Sequence, residues 1–170
     1  MDTSKNRRIL GRYHRLCYHN LLKDLMTDFI KISGNINSSN TKIPLGVEVW
    51  IDDTCIINTD HVDSDIQFDQ DLSEDEAEHE LRIVLKNKVS AHTKIDDQNQ
   101  RIEDVVLLIT NLCFDGIQLD HNCQQLITYT HDLNGTGNIT HDKFYGEMGC
   151  NGTVSLKFTT PVYLWLLENM

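Results

Sequence analysis

The chain has 170 residues, long enough to bury a core as one domain, and its 39% apolar content with only two prolines and nine glycines excludes a low-complexity polymer. The net charge of −11 is unevenly spread: residues 1–33 hold seven Lys/Arg against three Asp/Glu, and the remainder eight against 23. Residues 52–80 carry 12 carboxylates and no Lys or Arg, a field that repels nucleic acid and anionic membranes, so neither is expected as a partner of the body of the protein.

Residues 3–32 read as an amphipathic helix, because Leu10, Tyr13, Cys17, Leu21 and Leu25 recur at helical spacing. Arg7, Arg8, Arg12 and Arg15 fall largely off that stripe and make the element basic. Gly34 is the expected stop. The opening stretch lacks the apolar run of a secretory signal, and residues 162–167 are too short to cross a bilayer, so neither signal-directed export nor membrane insertion is expected. Residues 35–44 are polar and read as a linker.

After Pro44 the period changes to two. Val47, Val49 and Ile51 alternate with Glu48 and Trp50, which describes a half-buried strand with Trp50 on its outer side. Residues 54–58 read as its hairpin partner, 79–86 alternate again, 105–110 are apolar throughout, and 112–119 contain the turn signal Asp115-Gly116. Residues 125–131 are β-branched and aromatic, 153–160 alternate cleanly, and 162–168 read as a strand or a short helix. The expected architecture is mainly β: a jelly-roll-like β-sandwich over residues 45–170 behind an N-terminal α-helix over 1–34.

The five cysteines, Cys17, Cys55, Cys113, Cys123 and Cys150, are an odd number without a CxxC pair and read as free thiols made in a reducing cytoplasm. The Asn-X-Ser/Thr sites at Asn37, Asn134, Asn138 and Asn151 read as loop residues. No nucleophile elbow, phosphate loop or HExxH pattern is present, and the carboxylates are too numerous for any one pair to stand out, so a non-enzymatic protein without an obligatory cofactor is expected.

Residues 132–143, DLNGTGNITHDK, resemble an EF-hand calcium loop. Asp132, Asn134, Thr136 and Thr140 fall on ligand positions, with Asn138 between them and Gly137 at the sharp turn. The resemblance implies calcium at these oxygens, but the twelfth position, normally a bidentate glutamate, is Lys143. Trp50, Tyr129 and Tyr145 are candidate stacking platforms for sugar rings. Asp69, Asp71, Glu74, Asp75 and Glu76 offer an acidic surface complementary to Arg7, Arg8, Arg12 and Arg15, which suits docking between copies or onto another protein.

The order HELRIVLKNK, then RIEDVVLLITNLCFDGIQL, then a Gly/Asn loop and TVSLKFTTPVYLWLLE resembles small β-sandwich structural proteins of tailed bacteriophages. It is also similar in outline to calcium-dependent carbohydrate-binding modules. The first resemblance implies a virion tail, neck or fibre adaptor, made in the host cytoplasm and assembled with other virion proteins or copies of itself. The second implies binding of a cell-surface glycan, with calcium.

Overall fold

The structure is a computed structural model and describes residues 29–98, 100–119 and 125–169. Residues 1–28, with Arg7, Arg8, Arg12, Arg15 and most of the expected N-terminal helix, lie outside the described residues. The final positions of that expected helix are a strand instead: β1 runs Phe29–Ser38 through Gly34, replacing the helix end and the start of the linker. The reason is local. Ile30, Ile32 and Ile36 alternate with Lys31, Ser33 and Asn35, so every second side chain is apolar, and each of the three isoleucines is fully buried.

Twelve further strands follow. They are β2 (Gly46–Ile51), β3 (Thr54–Thr59), β4 (Ile66–Ser73), β5 (Glu78–Lys86), β6 (Thr93–Ile95), β7 (Arg101–Asp104), β8 (Leu107–Phe114), β9 (Ile117–Gln118), β10 (Thr128–His131), β11 (Thr140–Lys143), β12 (Glu147–Met148) and β13 (Gly152–Thr159). A helix, α1 (Val162–Asn169), ends the described chain. Sheet A has the order β12-β8-β1-β4, with β9 also paired to β8; sheet B has the order β11-β10-β13-β5-β2-β3; β6 and β7 form a separate hairpin. Every pairing is antiparallel, so the polar backbone of one strand is satisfied by its neighbours while alternate side chains face inward.

The inward faces of the two sheets make one core. Ile32, Ile36, Leu107 and Phe114 of sheet A share it with Val47, Val49, Ile83 and Leu156 of sheet B. The rings of Phe114 and Phe158 cross the gap between sheets at 4.8 Å, and Trp165 of α1 closes one end edge-on to Phe114 at 5.9 Å. The architecture is therefore mainly β, as expected, with the last segment resolved as a helix. The unexpected part is β4, which lies inside the acidic stretch. Its Asp69 and Asp71 point outward, while Phe68 is buried against β1.

At the opposite end from α1, one buried ion pair ties the β6–β7 hairpin to the sandwich. The Lys88 side chain is 0% exposed, and its ammonium donates to the Asp104 carboxylate and to the Val105 carbonyl. Asp104 also accepts from Thr93 Oγ1 at 2.7 Å and pairs with Arg101 at 3.3 Å. Burial pushes the Asp104 carboxyl upward, but the hydrogen bonds from Lys88 and Thr93 outweigh it, and the net shift is below the ordinary 3.8.

Lys88→Met roughly keeps the volume but leaves the Asp104 carboxylate with only Thr93 and Arg101, so it should cost about 3 kcal/mol, read as a lower urea midpoint at unchanged slope. Because the Asp104 carboxyl is depressed on folding, its stabilisation should be full above the ordinary value of 3.8 and be lost as pH falls through and below it. The loss should be smaller in the Lys88→Met protein, where the depressing partner is gone.

Candidate functional site

The described surface includes two concavities. The larger, about 510 Å³, lies at the α1 end of sheet B and is lined by Asp52, Asp53, Glu78, Glu80, Arg82 and Lys157, with His79, Phe158, Thr159 and Trp165 completing it. Asp52 sits in the β2–β3 turn at a φ of 51°, a left-handed conformation that Asp tolerates better than most residues. From there its Oδ2 meets His79 Nδ1 at 2.8 Å, and its Oδ1 accepts from the Glu80 amide at 2.8 Å. His79 Nε2 in turn lies 3.4 Å from Thr160 Oγ1.

Carboxylate, imidazole and hydroxyl in that order have the outline of an acyl-transfer triad. The hydroxyl is not available for it. Thr160 is 5% exposed; its Oγ1 donates to the Asp75 carbonyl and accepts from the Ala77 amide at 3.2 Å. The array fastens the β4–β5 loop to the end of β13.

The stacking candidates separate cleanly. Trp50 is on the outer side of sheet B, as its strand position predicts, but its indole donates to Glu48 Oε2 at 2.9 Å and the Arg82 guanidinium sits 5.7 Å over the ring. Glu48 also accepts from Lys86 Nζ at 2.9 Å, and the hydrogen bonds from Lys86 and Trp50 hold its carboxyl below the usual range. Trp50 is thus partnered by Glu48 of its own strand and by Arg82 across the ladder. Tyr129 is inside: it is 7% exposed, its hydroxyl donates to the Cys150 carbonyl, and it accepts from the Cys150 amide at 2.9 Å. Burial pushes its phenol well above the ordinary 10.0. That ring offers no platform to a ligand. Tyr145, between β11 and β12, is 73% exposed.

The calcium-loop candidates form the tip of the β10–β11 hairpin. Asp132 Oδ1 accepts from the Gly135 amide at 3.0 Å, and Thr136 Oγ1 donates to the Asp132 carbonyl at 2.7 Å. Asn134 Oδ1 accepts from the Asn151 amide at 2.8 Å, the Asn138 amide donates to Thr136 Oγ1 at 3.3 Å, and Thr140 Oγ1 donates to the His131 carbonyl at 3.3 Å. Leu133, Asn134, Gly135 and Gly137 all have positive φ, which is turn chemistry. Only one carboxylate enters this set, Lys143 is a β11 residue, and among the described residues no group of three or more His, Cys, Asp or Glu is placed to hold a metal. A calcium ion does not fit these residues as they stand.

The second concavity, about 360 Å³, lies where β8 bends into β9 beside the β11–β12 loop. Its floor is apolar: Ile109, Leu119, Ile127 and Phe144 are all buried. Its rim is Thr110, Asn111, Gln118 and Tyr145. The wall is held by backbone bonds, with the Ile109 amide donating to the Gly146 carbonyl at 2.8 Å and the Phe144 amide to the Ile127 carbonyl at 3.3 Å. Asn111 takes a φ of 53° at the bend, a conformation that Asn adopts more readily than other side-chain-bearing residues.

Thr110 also belongs to an uncharged row across the outer side of sheet A, because Asn35 pairs with Gln67 on one side and with Thr110 on the other. Sequence reasoning found Tyr145 but not Thr110, Asn111 or Gln118. The available signal was the polar Thr-Asn pair interrupting the run LLITNLCF, which marks the bend.

The acidic candidates lie elsewhere. Asp69 and Asp71 are on the outer side of β4, with Lys31 Nζ 3.7 Å from Asp69, and Glu74, Asp75 and Glu76 occupy the β4–β5 loop near α1.

No protein-family model matches the chain, and no curated protein matches it. Two solved structures are similar in backbone. One, described as vCBM60 in complex with galactobiose, has 10% identity and a TM-score of 0.45 over 74% of this chain and 96% of its own. The other is a selenomethionine form of vCBM60, described in the context of two families of calcium-dependent carbohydrate-binding modules linked by circular permutation. It has 11% identity and a TM-score of 0.48 over 75% of this chain and 89% of its own.

Thr160→Val would leave the Asp75 carbonyl and the Ala77 amide without their side-chain partner. It should cost about 1–3 kcal/mol in urea unfolding.

Proposed function

We propose that the protein is a non-catalytic carbohydrate-binding β-sandwich whose side cleft, between the β8–β9 bend and the β11–β12 loop, takes a neutral sugar. The observation that carries this reading is charge. The chain has a net charge of −11, yet none of the described residues lining this cleft is charged.

A sugar presents an apolar C–H face and a rim of hydroxyls, each both donor and acceptor. The exposed Tyr145 ring is a flat amphipathic surface for the first. The amides of Asn111 and Gln118 and the hydroxyl of Thr110 each supply donor and acceptor for the second. Such amphoteric groups answer a hydroxyl whichever way it points. An apolar floor with a few polar rim groups is the common make-up of small-ligand sites, and the volume of 360 Å³ falls near the lower end of their range of roughly 300–1,000 Å³. The Asn35–Gln67 row extends from Thr110 across sheet A and provides amides for further sugar units.

The full chain should be titrated against neutral and acidic oligosaccharides, first on an array and then by calorimetry. Tyr145→Ala should weaken binding of a neutral glycan about tenfold, and Gln118→Ala by a few-fold to about tenfold. Chelation with EDTA should leave affinity unchanged. Capture of acidic glycans alone, or full affinity after Tyr145→Ala, would remove the basis for this assignment.

A further inference from the structure

We propose that the α1 end of the sandwich is a docking surface for the chain's own first 28 residues. Three independent features of that end meet there.

The first is where the chain enters. Phe29, the first residue of β1, pairs with Ser73 at the end of β4, immediately before the acidic β4–β5 loop. Two residues on, the Lys31 amide donates to Asp115 Oδ1 at 2.7 Å, and the other oxygen of Asp115 accepts from the Tyr163 hydroxyl of α1 at 2.9 Å. The preceding segment therefore leaves the sandwich one side chain away from α1. Twenty-eight residues span about 40 Å even as a helix, enough to cross the end of a domain this size.

The second is charge. The cleft at this end sets Asp52, Asp53, Glu78 and Glu80 against Arg82 and Lys157. Residues 1–28 carry Lys5, Arg7, Arg8, Arg12, Arg15 and Lys23 against Asp2, Asp24 and Asp28, while the rest of the chain is strongly acidic. A net-basic stretch is thus tethered at the same end of the sandwich as an acidic cleft, which raises its local concentration there without any second molecule.

The third is apolar surface. α1 buries Val162, Trp165 and Leu166 but leaves Tyr163, Leu164 and Leu167 exposed, Leu167 by 80%, and Phe29 is exposed as well. Residues 1–28 supply a matching stripe in Leu10, Tyr13, Leu21 and Leu25. In sequence Leu21 and Leu25 lie nearest to Phe29 and the arginines further back, the order in which the apolar face of α1 and the carboxylates of the cleft would be met.

Hydrogen–deuterium exchange on the full chain tests this, with sedimentation at the same concentrations to fix the oligomeric state. In a monomer, amides of residues 1–28 should exchange at least about tenfold more slowly than an unstructured chain. That protection should fall in Leu164→Ser/Leu167→Ser and in Asp53→Lys/Glu78→Lys, both built on residues outside the core, while β5 and β13 keep theirs. Raising salt should weaken protection in the wild type. Exchange of residues 1–28 at the unstructured rate overturns the proposal, as does protection that survives both double variants. Protection seen only at concentrations that form dimers overturns it in favour of a second copy. Glycan binding in the side cleft is read separately, so failure of either reading leaves the other standing.

Discussion

Sheet A depends on the contact between Gly34 and Phe68. β1 is an inner strand, flanked by β4 and β8, and both flanking pairings are long-range in sequence. At Gly34 the inward side of β1 has no side chain, and the Phe68 ring of β4 fills the space; a Cβ there would come within 2.8 Å of the ring. Aromatic and glycine across one register position fix the alignment of β4 on β1, because a slip of one residue would turn Phe68 outward and Asp69 inward. With β4 held, the acidic stretch of the sequence becomes an edge strand whose carboxylates face water, where charge also discourages pairing with another chain.

The same contact explains what was legible in the sequence. β2, β5 and β13 alternate apolar and polar side chains without interruption, and each appears where the pattern places it. β1 alternates too, but Gly34 interrupts the series and reads locally as a helix stop; only its partner shows that the missing side chain is a packing feature. In β4 the apolar positions are diluted by Asp69, Gln70 and Asp71, so charge hid the period. α1 follows Pro161 and places Val162, Trp165 and Leu166 on one buried face, a spacing that short length left open between helix and strand.

Site legibility followed another rule. Residues whose role is set by a single strand's facing were readable, as with the outward Trp50, although its partners Glu48 and Arg82 were not. The side cleft joins β8, β9 and the β11–β12 loop, distant in sequence, and no local pattern announces that Asn111, Gln118 and Tyr145 meet. Spacing is ambiguous at residues 132–143 for the converse reason. Gly, Asn and Asp at short intervals satisfy a tight hairpin as well as a cation, and only the hydrogen bonds of Asp132 and Asn134 tell the two apart.

The acidic end and the neutral cleft share one connecting element, the β8–β9 hairpin. Its turn holds Lys31 and Tyr163 through Asp115, and its return strand carries Gln118. Contiguity of this kind does not by itself transmit anything, since coupling requires an element with two arrangements that both sites bias. The hairpin is pinned on both sides, by the Asp115 amide donating to the Lys31 carbonyl at 2.8 Å and the Leu119 amide donating to the Leu112 carbonyl at 3.0 Å. The turn is thus fastened to β1 and α1, and the base closes the hairpin on itself. Under the two proposals the division of charge acts by place: carboxylates at one end attract the basic segment, and the cleft beside β8, uncharged among its described residues, is left to a ligand that carries no charge.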